Sequence, residues 1–234
     1  MKLGLFEAGQ LMATTRMDDA THPDFKIWIT NHLPENVILS TVGATIKGDV
    51  LTFLRKHSVR CLLLDHRTPL PVAHDYHTPE TLGKDRLAAI CGAQALFPGT
   101  NCLVVDAGTC ITIDVLDARG VFRGGNISPG LQMRLRAMHE FTARLPRPAR
   151  LWPADWLGHS TEHALQNGAL QGALLELQGY IGACRARFGH LNVLLTGGDS
   201  LFLAKKWKSQ IFVNQNLVLY GLNKILSHNV ERSE

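Results

Sequence analysis

The chain has 234 residues, of which 45% are apolar and 19% charged; this excludes a disordered chain and is enough for one large domain or two small ones. The formal charge of +4 is spread thinly, with no basic run longer than Lys205-Lys206, so nothing marks a face for nucleic acid. No apolar run reaches the ~18 residues of a membrane-crossing helix, which excludes an integral membrane protein of that kind.

The pattern begins inside a strand. Residues 2–7 and 11–16 are expected to pair as a hairpin around Ala8-Gly9-Gln10, and the start is too short and too soon acidic for a signal peptide. Residues 24–33 read as a helix that stops before Pro34. Residues 37–42 and 59–64 are short, continuous apolar runs of the kind found in parallel strands covered on both faces. A short amphipathic helix is expected between them over 49–57. Pro69, Pro71 and Pro79 mark an irregular connector, and 85–97 reads as a helix with Leu87, Ile90, Cys91 and Ala95 on one face.

The second half repeats the plan. Strands are expected at 102–106 and 111–116 around the turn Ala107-Gly108-Thr109, and a third starts at 121–123 after the turn Asp117-Ala118-Arg119-Gly120. Helices follow over 131–141 and 160–188, then a strand at 192–195, a short helix at 200–207, a strand at 211–213 and a last helix at 217–227. The second half is β-β-β-α-β-α-β-α, and the first half has the same order without its first strand. The expected halves are 1–100 and 101–234. This layout resembles the sugar kinase, heat-shock ATPase and actin superfamily. That resemblance implies an α/β fold, a duplicated actin-like (ribonuclease H-like) two-domain architecture with mixed five-stranded sheets and a nucleotide between the halves.

The five cysteines (Cys61, Cys91, Cys102, Cys110, Cys184) form no CxxC pair and sit among apolar neighbours, as reduced thiols of a cytoplasmic protein do. The closest histidine pairs, His74/His77 and His159/His163, lie in no zinc-type motif.

Several short motifs carry chemistry. In Asp106-Ala107-Gly108-Thr109, Gly108 lets backbone approach a phosphate, Thr109 offers a hydroxyl and an N–H, and Asp106 can hold a cation; the same residues also make a plain hairpin turn. Gly124-Gly125-Asn126-Ile127-Ser128-Pro129-Gly130 reads as a Gly-rich turn, a structural corner where backbones pass closely. Thr196-Gly197-Gly198-Asp199 follows a buried strand, where open α/β sheets bind ligands. Its glycines leave room for a flat ring such as adenine, and Asp199 equally fits a helix N-cap. Gly83-Lys84-Asp85-Arg86 opens a helix whose positive end is expected to keep Asp85 ionised, able to take a proton from a substrate hydroxyl, while Arg86 can bind a carboxylate. Asp85 fits a plain helix cap as well. Gly168, Gly172, Gly179 and Gly182, with Ala164, form a small-residue stripe on helix 160–188, expected to mark close helix–helix approach within the subunit or across a dimer.

Taken together in order, these motifs resemble type III pantothenate kinase. The match extends to Ser40-Thr41-Val42, Asp75-Tyr76-His77-Thr78-Pro79, Phe141-Thr142-Ala143-Arg144-Leu145-Pro146, Thr161 and Gln166-Asn167-Gly168, and so covers essentially the whole chain. The resemblance implies ATP-dependent phosphorylation of pantothenate to 4'-phosphopantothenate, the first step of coenzyme A biosynthesis. It implies that Asp85 is the catalytic base, that Tyr76, Gly83, Lys84, Asp85, Arg86 and Thr161 bind pantothenate, and that Gly108, Thr109, Gly197 and Gly198 bind ATP. It further implies that Asp106 holds potassium or ammonium, that Mg2+ accompanies ATP, and that the protein is a homodimer.

One departure stands out. Ile113-Asp114-Val115 aligns with Lys2-Leu3-Gly4, so Asp106 and Thr109 have no first-half partners and a strand with its DxGN-type phosphate loop is expected to be missing. Three readings fit: a true start further upstream, an incomplete N-terminus, or a variant with impaired ATP binding. The missing loop also admits a second function, a non-catalytic homologue acting as a binding or regulatory accessory protein. Another sugar-type kinase is a third, disfavoured by the specific match from Asp75-Tyr76 to Arg86.

Overall fold

The computed structural model describes residues 1–20, 22–41, 48–57 and 59–232; Val42, expected at the end of a buried strand, lies outside the described residues. The chain divides into two compact units, Met1–Leu96 with Asn216–Glu234, and Phe97–Gln215.

The first unit opens with the hairpin β1 (Lys2–Glu7) and β2 (Gln10–Arg16), paired antiparallel. Ala8 (φ 48) and Gly9 (φ 79) both turn left-handed, the backbone that matches the twist of a two-residue hairpin. Helix α1 (Pro23–His32) starts on a proline whose φ is already helical, with the His22 ring accepting from the Asp24 N–H at 3.3 Å. It ends at Leu33, left-handed, just before Pro34. Its buried Phe25 and Ile29 meet Val50 and Leu54 of helix α2, whose range is Gly48–Lys56 with β3 (Asn36–Leu39) before it. β3 pairs in parallel with β4 (Arg60–Leu63). The Pro-rich connector holds the two-residue strand β5 (Ala73–His74) and a 3-10 turn at Pro79–Thr81, then gives way to α3 (Lys84–Leu96).

Among the described residues, then, β1-β2 and β3-β4 are two separate sheets. A cavity of about 810 Å³ is lined by Leu3 and Leu5 of β1, Trp28 of α1, Val37 of β3 and, further on, Leu222 and Leu226.

The second unit is built around β6 (Cys102–Ala107). It pairs antiparallel with β7 (Cys110–Leu116), which pairs antiparallel with β8 (Val121–Pro129). After α4 (Leu131–Glu140), α5 (Thr161–Gln166), a π-helical turn (Asn167–Gln171) and α6 (Gly172–Phe188), the chain enters β9 (Asn192–Thr196), parallel to β6 on its other side. Helix α7 (Ser200–Ala204) leads to β10 (Phe212–Val213), parallel to β9. The unit's strand order is β10-β9-β6-β7-β8. Leu103, Val105, Ile113 and Leu195 from the sheet bury one face against Leu131, Leu135, Leu170 and Leu177 from the helices. Asn101 fixes the entry to β6: its Nδ2 donates to the carbonyls of Phe188 (2.9 Å) and His190 (3.1 Å), and its Oδ1 accepts from the Ala118 N–H at 2.8 Å.

Two expectations change here. The segment expected as a Gly-rich turn over 124–130 is mostly strand. Gly124 bends β8 at φ 91, and a side chain on Gly125 would collide with Ile113 and Asp114 of β7, so the glycines serve close strand approach. The last helix, α8 (Leu217–Glu231), belongs with the first unit although the second half of the sequence carries it. Its Gly221 lies against the Ala88 carbonyl, and Gly92 of α3 lies against the Leu217 carbonyl; neither site has room for a Cβ. Among the described residues, no helix is long and apolar enough to cross a membrane.

Candidate active site

The second unit gathers three of the sequence motifs at one end of β6. Asp106 pairs with Thr112 of β7 and Thr196 of β9, so its carboxylate stands where both neighbouring strands meet the turn. The Gly108 N–H donates to the Cys110 carbonyl at 2.9 Å, and Thr109 forms the exposed tip. The Gly130 N–H donates to the Thr109 carbonyl at 3.1 Å, and a side chain on Gly130 would collide with the carbonyls of Gly108 and Thr109. From the other side, the Asp199 N–H donates to the Ala107 carbonyl at 2.9 Å. Backbone from β8 and from the β9–α7 turn thus fixes the Asp106–Thr109 turn in place.

Gly197 and Gly198 have different jobs. Gly197 has φ 90, and a Cβ there would collide with the Asp106 carboxylate and the Ala107 carbonyl. Its missing side chain lets the turn close on Asp106 and Ala107. Gly198 has no neighbour within 4 Å of its Cβ position.

Asp106 is half-buried, beside backbone carbonyls of a turn. One carboxylate with carbonyl and water oxygens suits a hard cation of low charge; a divalent ion bound by protein alone calls for more carboxylates. Among the described residues, no three His, Cys, Asp or Glu side chains cluster as a metal site.

The first unit places the remaining motif on α3. Gly83 precedes the helix, Lys84 opens it, and Asp85 lies in its first turn, two positions past the cap at Gly83 and so not the cap expected of it. The Asp85 Oδ1 accepts from the Arg86 N–H at 2.9 Å and sits 2.6 Å from where a Gly83 Cβ would be. Glycine at 83 therefore leaves space for the Asp85 carboxylate. Arg86 is buried, 5% exposed. Its guanidinium donates to the Tyr76 hydroxyl at 3.3 Å and lies 5.5 Å from the centre of that ring, an arrangement that holds the Arg and Tyr side chains as one unit. Thr161, in the second unit, is exposed at the first position of α5, where the Ser160 hydroxyl caps the helix by accepting from the His163 N–H at 3.2 Å.

Two features were not legible in the sequence. Asp199 occupies the position before α7 but makes no side-chain cap; its carboxylate pairs with Arg150 instead. The partners are 49 residues apart, and no local pattern links them. The helix expected over 160–188 is also interrupted by its π turn. Gly168, Gly179 and Gly182 have no neighbour near their Cβ positions, so the glycine stripe makes no close approach within this chain among the described residues.

The family model for type III pantothenate kinase matches residues 1–183. A type III pantothenate kinase from Phocaeicola vulgatus is 40% identical over 229 residues, covering 97% of this chain and 94% of the relative. One from Bacteroides fragilis is 49% identical over 180 residues, 77% of this chain and 74% of the relative. One from Cytophaga hutchinsonii is 38% identical over 234 residues, covering 98% and 95%. Among solved structures, a Baf family protein from Campylobacter jejuni has a TM-score of 0.56 at 23% identity, covering 80% of this chain and 82% of that one. The activator of 2-hydroxyisocaproyl-CoA dehydratase from Clostridium difficile, with bound ADPNP, has a TM-score of 0.52 at 10% identity, covering 99% and 92%. These last two likenesses are of fold alone, an α/β architecture shared over most of the chain.

Proposed function

This chain belongs to the type III pantothenate kinase family, and we propose from that membership that Asp85 is the base of an ATP-dependent pantothenate kinase. The reaction makes 4'-phosphopantothenate for coenzyme A biosynthesis. As the pantothenate hydroxyl oxygen attacks the γ-phosphorus of ATP, its proton passes to the Asp85 carboxylate and ADP leaves. The observation that carries this role is the space kept for that carboxylate: glycine at 83 on one side, and the paired Arg86 and Tyr76 close by.

Tyr76, Gly83, Lys84, Arg86 and Thr161 bind pantothenate, with the Arg86 guanidinium as the natural partner for its carboxylate. Thr109 and Gly108 contact the phosphates of ATP, and Gly198 faces the adenine; Gly197 acts by letting the turn close on Asp106. Asp106 holds a potassium or ammonium ion, which supplies positive charge beside the phosphates when bound, and Mg2+ accompanies ATP. The protein is a cytoplasmic homodimer. The open glycines on α6 and the exposed Leu175 beside them support a face for a second subunit.

The test is Asp85→Asn. Asn keeps an oxygen for the Arg86 N–H but cannot take the proton, so kcat should fall by about 100- to 10,000-fold while circular dichroism and ligand binding stay as in the parent. Undiminished turnover in this variant removes Asp85 from the role.

A further inference from the structure

The segment over 141–160 joins α4 to α5 without regular structure, yet it is tied down at its middle. The Arg150 guanidinium pairs with the Asp199 carboxylate and lies 4.7 Å from the centre of the Phe202 ring. Two residues on, Trp152 stacks on the same Phe202, 5.1 Å between centres and 14° between planes, and its Nε1 donates to the Phe202 carbonyl at 3.3 Å. Just before Arg150, the Ala149 carbonyl accepts from Nε2 of the buried Gln166, at 3.0 Å. Arg150 is therefore held from two directions: by α5 through Ala149, and by α7 through Phe202.

What Arg150 holds is the turn beside Gly198. Asp199 is the last residue of that turn, and its backbone N–H already bonds the Ala107 carbonyl of the Asp106–Thr109 loop. An Asp in this place usually caps its own helix. Here the carboxylate gives up that bond for a charge-assisted one to Arg150, although α7 is left without a side-chain cap. A five-residue helix gains little from capping, so the interaction kept is the one that fixes the turn from outside.

We propose that Arg150 is a positioning residue for nucleotide binding: by clamping Asp199 it preorganises the Gly197–Asp199 turn, and with it the Ala107 backbone, for ATP. This rests on the kinase reading of the site. Arg150 touches no reacting atom, so its loss should weaken ATP binding and spare the chemical step.

The experiment uses the full chain with a non-hydrolysable ATP analogue in calorimetry, alongside steady-state kinetics. R150A and D199N should each weaken analogue binding and raise KM for ATP about tenfold, with kcat within about threefold and KM for pantothenate unchanged. D199N guards against a folding artefact, because Asn is a good helix cap while it removes the charge that makes the clamp strong. R150K keeps the charge but loses the fork and the ring stacking, and should fall between. The double variant R150A/D199N should bind no more weakly than either single one, since both remove the same contact. Analogue binding by R150A as tight as in the parent overturns the proposal, as do single effects that multiply in the double variant. Failure of the kinase reading looks different: the parent protein binds the analogue but transfers no phosphate to pantothenate.

Discussion

In the second unit β6 has a strand on each side, β7 antiparallel and β9 parallel, whereas in the first unit β1 and β3 each pair on one side only, among the described residues. The consequence reaches the chemistry. At the end of β6, backbone from both flanks closes on the Asp106–Thr109 turn, which is shaped by main-chain hydrogen bonds and by glycines at 130 and 197. The first unit offers side chains of another kind, on the first turn of α3 and in the connector before it. There Asp85 bonds the Arg86 N–H, and the Arg86 guanidinium reaches back to Tyr76.

The sharpest way to break this contrast is to fill the glycine positions. Gly197→Val adds bulk at φ 90 against Asp106 and Ala107, and should abolish ATP-analogue binding while leaving pantothenate binding intact. Calorimetry with each ligand separates the two, and equal loss of both would mean that the units are not independent in binding. Next comes the core. Leu103→Ala in fully buried β6 should cost about 2–5 kcal/mol in urea unfolding, and Leu3→Ala in half-buried β1 clearly less. Similar costs would erase the difference between the strands. Hydrogen exchange offers a gentler reading: amides of β6 should be protected well beyond those of β1 and β3.

The smallest effect concerns pH. Burial pushes the Asp117 carboxyl up, but hydrogen bonds from the Val121 N–H and the Arg123 guanidinium, with the charge of Arg123, outweigh this and hold it below its ordinary value. A group whose folded pKa is depressed adds stability above its unfolded pKa, near 3.9, and loses it as pH falls toward the folded value. Asp117→Asn should therefore cost about 1–2 kcal/mol at pH 7 and progressively less below about pH 4, read from unfolding midpoints.

The order of elements was readable because most strands are short apolar runs and helix ends carry breaks such as Pro34. The placing of motifs at the ends of β6 and β9 followed from that order. The start of β8 was readable but its length was not, because two adjacent glycines look like a turn where here the strand continues through them beside β7. The placement of α8 depended on glycine contacts between Gly92, Gly221 and backbones far away in the chain. Gly197 and Gly198 look alike as letters and differ only in what surrounds them. The Arg150–Asp199 clamp spans too many residues for any local pattern to show it.

The most direct measurement is mass-spectrometric detection of 4'-phosphopantothenate after incubating the purified chain with ATP, Mg2+, potassium and pantothenate, beside the Asp85→Asn variant. Product should form with the parent and appear at least about 100-fold more slowly with the variant. Product forming equally fast from both would contradict it.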